Sequence, residues 1–344
     1  MKFIHFADVH FDMVFSSIKS NRDLVKKRRI NQKQVFKSAI ELAKAECVDA
    51  IFIAGDLFEN KYVEDETIKY IISCLREISN IKVFITPGNH DPLIKNSPYN
   101  TYDWPDNVYI FGADVGMFEV AGVRIYGFGF DDYEFDKNIV DEIEIDEQKT
   151  NILITHGNLD GASHQYNDIK SKSLKKFDYV ALGHIHLPKV DDSNIIYPGS
   201  LVAGGFDELG EHGLVIGEIK DKKLTTEFKT LDPQKFVIKE IDISNNQTIQ
   251  EILDNLQLKE DIYRLIFTGI RYIDIRKLEE SISELPNYVT EIIDNTRLEY
   301  NLEEIAKQDT LKGIFTKNML ERLKENPEDE KIILNAIEYV YKNM

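Results

Sequence analysis

Cysteine is nearly absent: two residues, Cys47 and Cys74, in a chain of 344. That leaves no disulfide framework and no thiolate metal site. Both cysteines fall in helical patterns and read as reduced, core or near-core thiols of a cytoplasmic protein. No apolar run approaches the 18 residues or so of a membrane-spanning helix, so no membrane span is expected. The first residues enter a strand at once, with no signal-peptide pattern. There are no internal repeats and no low-complexity segment. Positive charge is scarce too: 42 Lys and Arg face 60 Asp and Glu, a net charge of −18. A polyanion-binding chain usually carries a basic footprint, and this chain as a whole does not. The charge is uneven, however. Eight basic residues against Asp23 and Glu41 lie between Arg22 and Lys44, and nine acidic residues against Lys137 lie between Asp131 and Glu147. The plain reading of both runs is solvated surface.

What is present is a soluble globular composition, 42% hydrophobic and 30% charged. The length suits one large domain or two to three ordinary ones. The histidines are not scattered. Of 8, five (His10, His90, His156, His184 and His186) sit directly after short apolar runs. Phe3-Ile4-His5-Phe6 leads to Asp8-Val9-His10, and Ile51-Phe52-Ile53-Ala54 leads to Gly55-Asp56. Val83-Phe84-Ile85-Thr86 leads to Gly88-Asn89-His90-Asp91. Ile152-Leu153-Ile154-Thr155 leads to His156-Gly157-Asn158, and Tyr179-Val180-Ala181-Leu182 leads to Gly183-His184-Ile185-His186. Each segment alone is a weak signal. Together they predict five buried strands whose carboxyl ends deliver ligands to one place, as open α/β sheets do.

Strands 1–7, 49–54 and 81–86 alternate with helices expected from about Asp23 to Ala45 and Asp65 to Ile78. Residues 92–107 read as an irregular loop. Short strands follow at 108–111, 117–120, 123–127, 151–155 and 178–182, with more between 195 and 230. This predicts two sheets packed between helical layers. Beyond Pro233 a small α/β unit is expected, with strands 236–243, 262–268 and 288–293. Two tail helices come last. One uses Leu311, Ile314, Phe315 and Leu323. The other starts at Asn326-Pro327 and uses Ile333, Ile337 and Val340. The expected domains are 1–232, 233–300 and 301–344.

Carboxylate, imidazole and amide donors without thiolate suit Mn, Fe or Zn. Asp8, His10, Asp56, Asn89, His156, His184 and His186 are seven candidate ligands, too many for one ion and about right for two. Two ions about 3.5–4 Å apart stabilise the attacking and leaving oxygens of a displacement at phosphorus. Asp56 is the natural shared carboxylate, because Gly55 allows a tight turn beside it.

The ordered set resembles the calcineurin-like metallophosphoesterases, and most closely their DNA-repair nuclease branch of SbcD/YhaO type, over about residues 1–230. The resemblance implies a four-layer αββα sandwich with a small α/β cap domain and C-terminal helices. It implies one ion on Asp8, His10, Asp56 and His186, another on Asp56, Asn89, His156 and His184, with Mn²⁺ first and Fe or Zn as alternatives. It makes His90 the residue that stabilises the transition state or protonates the leaving oxygen, oriented by Asp91. Tyr197-Pro198-Gly199-Ser200 is similar to a site-lining segment, so Tyr197 and Ser200 are candidate substrate contacts; the alternative is an ordinary turn. His164 and Tyr166 are further candidates, with exposed loop as the alternative. His5 reads as structural, and His212 has no assignment. The sequence departs from the nuclease pattern at Glu59, where that branch often carries histidine, which bears on the exonuclease mechanism and not on the metal site.

The function implied is a metal-dependent phosphodiesterase, the DNA nuclease component of a repair complex with an SbcC-like coiled-coil ATPase, which docks on the tail helices. A homodimer through residues 23–45 and 65–78 is also implied. The alternatives are a phosphoesterase for nucleotides or other small phosphodiesters, and a scaffold that mainly recruits the ATPase.

Overall fold

The computed structural model describes residues 1–137, 139–161, 166–191, 193–246, 248–285, 288–298 and 302–343. It forms two compact units, Met1–Phe236 and Val237–Met344. In the first unit the strands are β1 Lys2–Phe6, β2 Ala50–Ala54, β3 Lys82–Thr86, β4 Val108–Ile110, β5 Gly116–Val120, β6 Val123–Gly127, β7 Thr150–His156, β8 Asn158–Leu159, β9 Asp168–Ile169, β10 Tyr179–Gly183, β11 Ile195–Ile196, β12 Gly213–Lys220 and β13 Lys223–Thr230. Eleven of them build a six-stranded sheet, β13-β12-β1-β2-β3-β4, and a five-stranded sheet, β11-β10-β7-β6-β5, while β8 and β9 pair separately. The pairs β1–β2, β2–β3, β6–β7 and β7–β10 are parallel.

The two sheets pack face to face because their central strands, such as β1, β2, β3, β7 and β10, are buried on both sides, as parallel strands covered on both faces are. Side-chain alternation on β2 shows how. Ala50, Phe52 and Ala54 join Ile152, Ile154, Tyr179 and Ala181 between the sheets. Ile51 and Ile53 point the other way, into a core with helices α1 (Arg22–Ala45) and α2 (Asp65–Arg76). The outer face of the second sheet is covered by Phe128, Phe130, Phe135, Val140, Phe177 and their neighbours. That outer layer is thinner than a helical one. Its regular parts are the short helix Ser171–Leu174 and a 3₁₀ turn at Val140–Glu142.

Asn21 caps α1, its side chain accepting from the Leu24 N–H at 3.0 Å. The helix stops where Cys47 takes a left-handed conformation, φ +50°. Cys47 is therefore exposed, against the expectation of a near-core thiol, while Cys74 on α2 is buried.

In the basic run on α1, Arg28, Lys37 and Lys44 are paired or buried, while Arg22, Lys26 and Lys27 are exposed. Lys37 and Lys44 both reach Glu77, at 2.5 and 3.0 Å. Arg28 is fully buried, donating to both oxygens of Asp232 at 3.2 and 2.8 Å and to the Ala203 carbonyl at 2.8 Å. Arg28→Ala would strand a buried carboxylate, a loss of about 3–5 kcal/mol. The check is the urea midpoint. A shift worth under about 1 kcal/mol would mean that Asp232 finds its charge balance elsewhere.

In the second unit, β14 (Phe236–Asp242), β15 (Ile262–Arg271) and β16 (Tyr288–Leu298) form a three-stranded sheet. Helices Ile249–Leu256 and Ile275–Ser283 pack on it through Ile252, Leu256, Leu278 and Ile282. β15 and β16 run on past the expected ends at 268 and 293 in parallel register through Thr268↔Asn295 to Arg271↔Leu298. The added residues, Gly269-Ile270-Arg271 and Asp294 to Leu298, are mostly polar or glycine, which hid them from an apolar pattern. Helices Leu311–Glu325 and Glu330–Asn343 pack through Phe315, Met319, Leu323, Ile333, Ile337 and Tyr341. Leu311 and Ile314, expected on the buried face, are instead 72% and 54% exposed. Among the described residues no helix is long and apolar enough to cross a membrane.

Candidate metal centre

Beyond the ends of β1 and β2 the two segments stay zipped together. Asp8 donates to the Gly55 carbonyl at 3.1 Å, His10 to Asp56 at 2.9 Å and Phe11 to Leu57 at 3.0 Å. This extension forces Asp8, His10 and Asp56 into left-handed backbone, at φ +51°, +49° and +52°. Each costs roughly 1–2 kcal/mol, and such strain concentrates where a side chain must be aimed. Two glycines let the second sheet close over the first. A Cβ on Gly183 would lie 1.8 Å from the Ala54 carbonyl oxygen, and one on Gly55, itself at φ +89°, would lie 2.2 Å from His156 Nδ1.

The structure thus brings all seven expected donors together. Asp56 Oδ2 lies 3.3 Å from His156 Nε2 and 3.6 Å from His10 Nε2. Asn89 Oδ1 lies 3.1 Å from His156 Nε2 and 3.2 Å from His184 Nδ1. His186 Nε2 lies 3.1 Å from His10 Nε2 and 3.9 Å from Asp8 Oδ1. The His184 N–H donates to both Asp8 oxygens at 3.0 Å, and the His90 N–H donates to Asp56 Oδ1 at 2.8 Å.

The outer nitrogens of the rings are already engaged. His10 Nδ1 meets Glu59 Oε1 at 2.8 Å, His186 Nδ1 meets Glu208 Oε1 at 2.6 Å, and His156 Nδ1 donates to the Ala54 carbonyl at 2.9 Å. Ionised carboxylates and carbonyls only accept, so each Nδ1 carries the proton. The inward Nε2 atoms of neutral rings are then lone pairs facing other acceptors. Such a centre requires positive charge. Burial opposes a proton on His156, but the Asp56 carboxylate outweighs it and raises that pKa to about 9. Burial likewise opposes a proton on His186, and Glu208 and Asp8 raise it to about 9. Asp56 is held well below the ordinary carboxylate value, burial being overcome by His156 and His10. Burial raises Asp8. A pair of dications supplies the same charge, and the oxygen and imidazole donors fit them.

Cations and protons therefore compete for His156 and His186. Protons win at lower pH, so cation affinity should rise with pH through about 9 and level off above it, where both rings are neutral. Calorimetric titration of Mn²⁺ at pH 7, in two buffers of different ionisation enthalpy, should register net proton release. Identical heats in both buffers would remove the competition.

Other expectations fare differently. Among the described residues, no hydrogen bond joins the Asp91 side chain to the His90 ring. Asp91 is fully buried and accepts from the Asp56, Gly88 and Leu57 N–H groups at 3.0, 2.6 and 2.7 Å and from the Tyr99 hydroxyl at 2.6 Å. Its side chain turns back to satisfy amides orphaned at the strand ends, which corrects the role read for it. His90 Nδ1 instead meets Glu59 Oε2 at 2.9 Å. That bond, against burial, raises His90 to about 8. Tyr197 and Ser200 lie beneath the site rather than at its surface. The Tyr197 hydroxyl donates to the Gly157 carbonyl at 2.8 Å, and the Ser200 hydroxyl donates to Glu208 Oε2 at 2.9 Å. Tyr166 is half-buried, its ring centroid 5.3 Å from that of His184. His164 lies outside the described residues. His5 is buried against the Tyr179 hydroxyl at 2.8 Å. His212 is buried beside Ser200, within 2.9 Å of its hydroxyl. Glu208 was missed: it follows Gly204-Gly205 in a stretch with no period, and nothing local points to His186.

A family model described as calcineurin-like phosphoesterase matches residues 1–188. The chain is 24% identical over 378 aligned residues to a protein from Staphylococcus epidermidis named as the D component of the nuclease SbcCD, covering 96% of this chain and 97% of that one. It is 27% identical over 296 residues to the protein of the same name from Staphylococcus saprophyticus, covering 75% of each. A solved structure, a dimetal phosphatase from Danio rerio, aligns with a TM-score of 0.42 at 11% identity, over 67% of this chain and 96% of that one.

Proposed function

Because this chain belongs to the calcineurin-like phosphoesterase family, whose members use a dinuclear metal centre, we propose that it is a dimetal phosphodiesterase acting on DNA. Asp8, His10, Asp56 and His186 hold one ion and Asp56, Asn89, His156 and His184 the other, with Mn²⁺ the first choice and Fe or Zn the alternatives. When bound, the ions supply Lewis acidity and make water acidic enough to attack phosphorus near neutral pH. The observation that carries this reading is the convergence of acceptors, with His10 Nε2 and His186 Nε2 only 3.1 Å apart.

Asp56 serves both positions, and its Oδ1 also fixes the turn that carries His90. The His90 side chain is 44% exposed, so it meets solvent and substrate while its Nδ1 stays on Glu59. Nε2 is the nitrogen left to give a proton to the leaving oxygen. Residues 1–232 carry this chemistry, 233–300 form a small α/β domain of their own, and 301–344 dock a partner. That partner is an SbcC-like ATPase, on the strength of the names of the two similar nuclease components. The exposed apolar side chains Leu311, Ile314, Ile332, Leu334 and Tyr339 on the C-terminal helices support the docking role.

The net charge of −18 and the paired lysines of α1 favour a second reading, hydrolysis of nucleotides or other small phosphodiesters. One assay separates the two. Protein stripped with EDTA is resupplied with Mn²⁺ and offered single-stranded DNA, double-stranded DNA, mononucleotides and bis-p-nitrophenyl phosphate, with and without the ATPase. DNA cleavage that His90→Ala loses supports the nuclease. Turnover of the small ester alone supports the second reading. Rates unchanged in excess EDTA would refute both. If Leu311→Asp and Ile314→Asp together leave ATPase binding intact, the docking assignment fails. Full biological function in Asn89→Ala and His90→Ala variants would instead favour a scaffold.

A further inference from the structure

Glu59 stands where similar nucleases often carry histidine, and its surroundings give it a job of its own. Its backbone is fixed from both sides. The Glu59 N–H donates to the Phe11 carbonyl at 3.0 Å, and the next N–H, of Asn60, donates to the His90 carbonyl at 3.0 Å. The residue therefore sits between the loop that carries His10 and the loop that carries His90. Its side chain is only 15% exposed and spends one oxygen on each ring: Oε1 to His10 Nδ1 at 2.8 Å, and Oε2 to His90 Nδ1 at 2.9 Å. The two rings stand edge to face, with centroids 4.7 Å apart. Glu208 makes a comparable bond to His186, but its second oxygen goes to Ser200 and to the Gly204 N–H. Among the described residues, Glu59 alone joins a metal-binding ring to the ring read as the proton donor.

We propose that Glu59 is a positioning residue that sets the tautomer and aim of His10 and His90 together, through the two oxygens of one carboxylate. An ionised carboxylate offers acceptors to both rings, so both are held as Nδ1–H. For His10 this leaves Nε2 as a lone pair turned toward Asp56 and His186. For His90 it reserves Nε2 for the substrate. Outer hydrogen bonds of this kind orient metal-binding histidines, and their loss costs about 10–100-fold in metal affinity or activity. The role given to His90 rests on the phosphodiesterase reading; the tautomer assignment does not.

Glu59→Gln is the informative change. It preserves size, but its amide offers one acceptor and one donor. The acceptor serves one ring. The donor faces the other ring's Nδ1–H, which must move its proton to Nε2 or break the bond. ¹⁵N NMR of histidine-labelled, EDTA-treated protein, recorded well above the value of about 8 to which Glu59 raises His90 so that the ring is neutral, should show His10 and His90 both protonated at Nδ1 and bare at Nε2 in the wild type, and one of them converted in Glu59→Gln. On a dinucleotide phosphodiester, whose alkoxide leaving oxygen needs a proton, Glu59→Gln at saturating Mn²⁺ should lower kcat by about 10–100-fold with KM nearly unchanged. In a His90→Ala background it should lower kcat far less, because the ring it aims is gone, while still weakening Mn²⁺ binding through His10. Unchanged ring nitrogens in Glu59→Gln overturn the proposal, and so do kcat losses that simply add. If the wild type turns over no phosphodiester, the functional reading falls, and the NMR comparison still decides what Glu59 does.

Discussion

Asp56→Asn is expected to abolish both cation binding and turnover. The side chain keeps its shape, and its oxygen can still accept from the His90 N–H as Asp56 Oδ1 does at 2.8 Å. What disappears is the negative charge at the centre. Asp56 lies 3.3 Å from His156 and 3.6 Å from His10, so one substitution weakens both proposed positions at once. Lewis-acid stabilisation at phosphorus is worth several kcal/mol. At 1.36 kcal/mol per tenfold, losing about 4 kcal/mol lowers the rate by roughly a thousandfold. Melting temperature gives a second readout. A ligand that binds only the native state stabilises it by about 2.7 kcal/mol at a hundred times its dissociation constant, so Mn²⁺ should raise the wild-type Tm and leave that of Asp56→Asn in place. The absolute Tm in EDTA is not diagnostic. The Asp56 carboxylate has its pKa depressed in the fold by His156 and His10. It therefore contributes stability above the ordinary carboxylate pKa that is lost as pH falls through the depressed one, and asparagine forfeits that stability whether or not cations bind. Two Mn²⁺ retained per Asp56→Asn chain would remove Asp56 from the centre.

The positions of the candidate ligands were legible because each follows a strand that is apolar on both faces. Such a strand has little choice but to run through the core, and parallel strands end on the same side. Phe52 and Ile53 thus announce Asp56, as Leu153 and Ile154 announce His156. The residues around those positions were not legible, because nothing periodic selects them. Glu208 reaches His186 across a glycine-rich turn. Asp91, next to His90 in the chain, looked like its partner. Three strand-end amides and the Tyr99 hydroxyl claim it instead, since buried N–H groups must find acceptors. Glu59 could be read as a departure from a pattern but not as a bridge, because its two partners lie 49 and 31 residues away. The tail helices show the same limit. Their 3.6-residue spacing identified helices, yet Leu311 and Ile314 fall on the exposed side, since spacing alone does not say which neighbour a helix meets.

His90→Ala separates the two halves of the proposed chemistry. His90 lies near enough to His10 and Asp56 to be a ligand in its own right, since one donor atom from each falls within 4.8 Å of the others. One feature argues for a proton donor instead: its ring is far more exposed than that of His10 or His156. Removing a general acid costs about 10²–10⁴-fold. The expectation is therefore a kcat lower by that amount, with both Mn²⁺ retained and KM little changed. The pH profile adds a sign. Glu59 raises His90 to about 8, and bound dications push the value down, so the wild-type rate at saturating Mn²⁺ should decline above a pH no higher than about 8 as the ring loses its proton. His90→Ala should lack that decline, because the group that titrates is gone. Esters with better leaving groups should be less affected by the substitution, since they need less help from a proton. A variant that loses one Mn²⁺ per chain, and whose activity returns when Mn²⁺ is raised, would make His90 a ligand and leave the leaving oxygen without its donor.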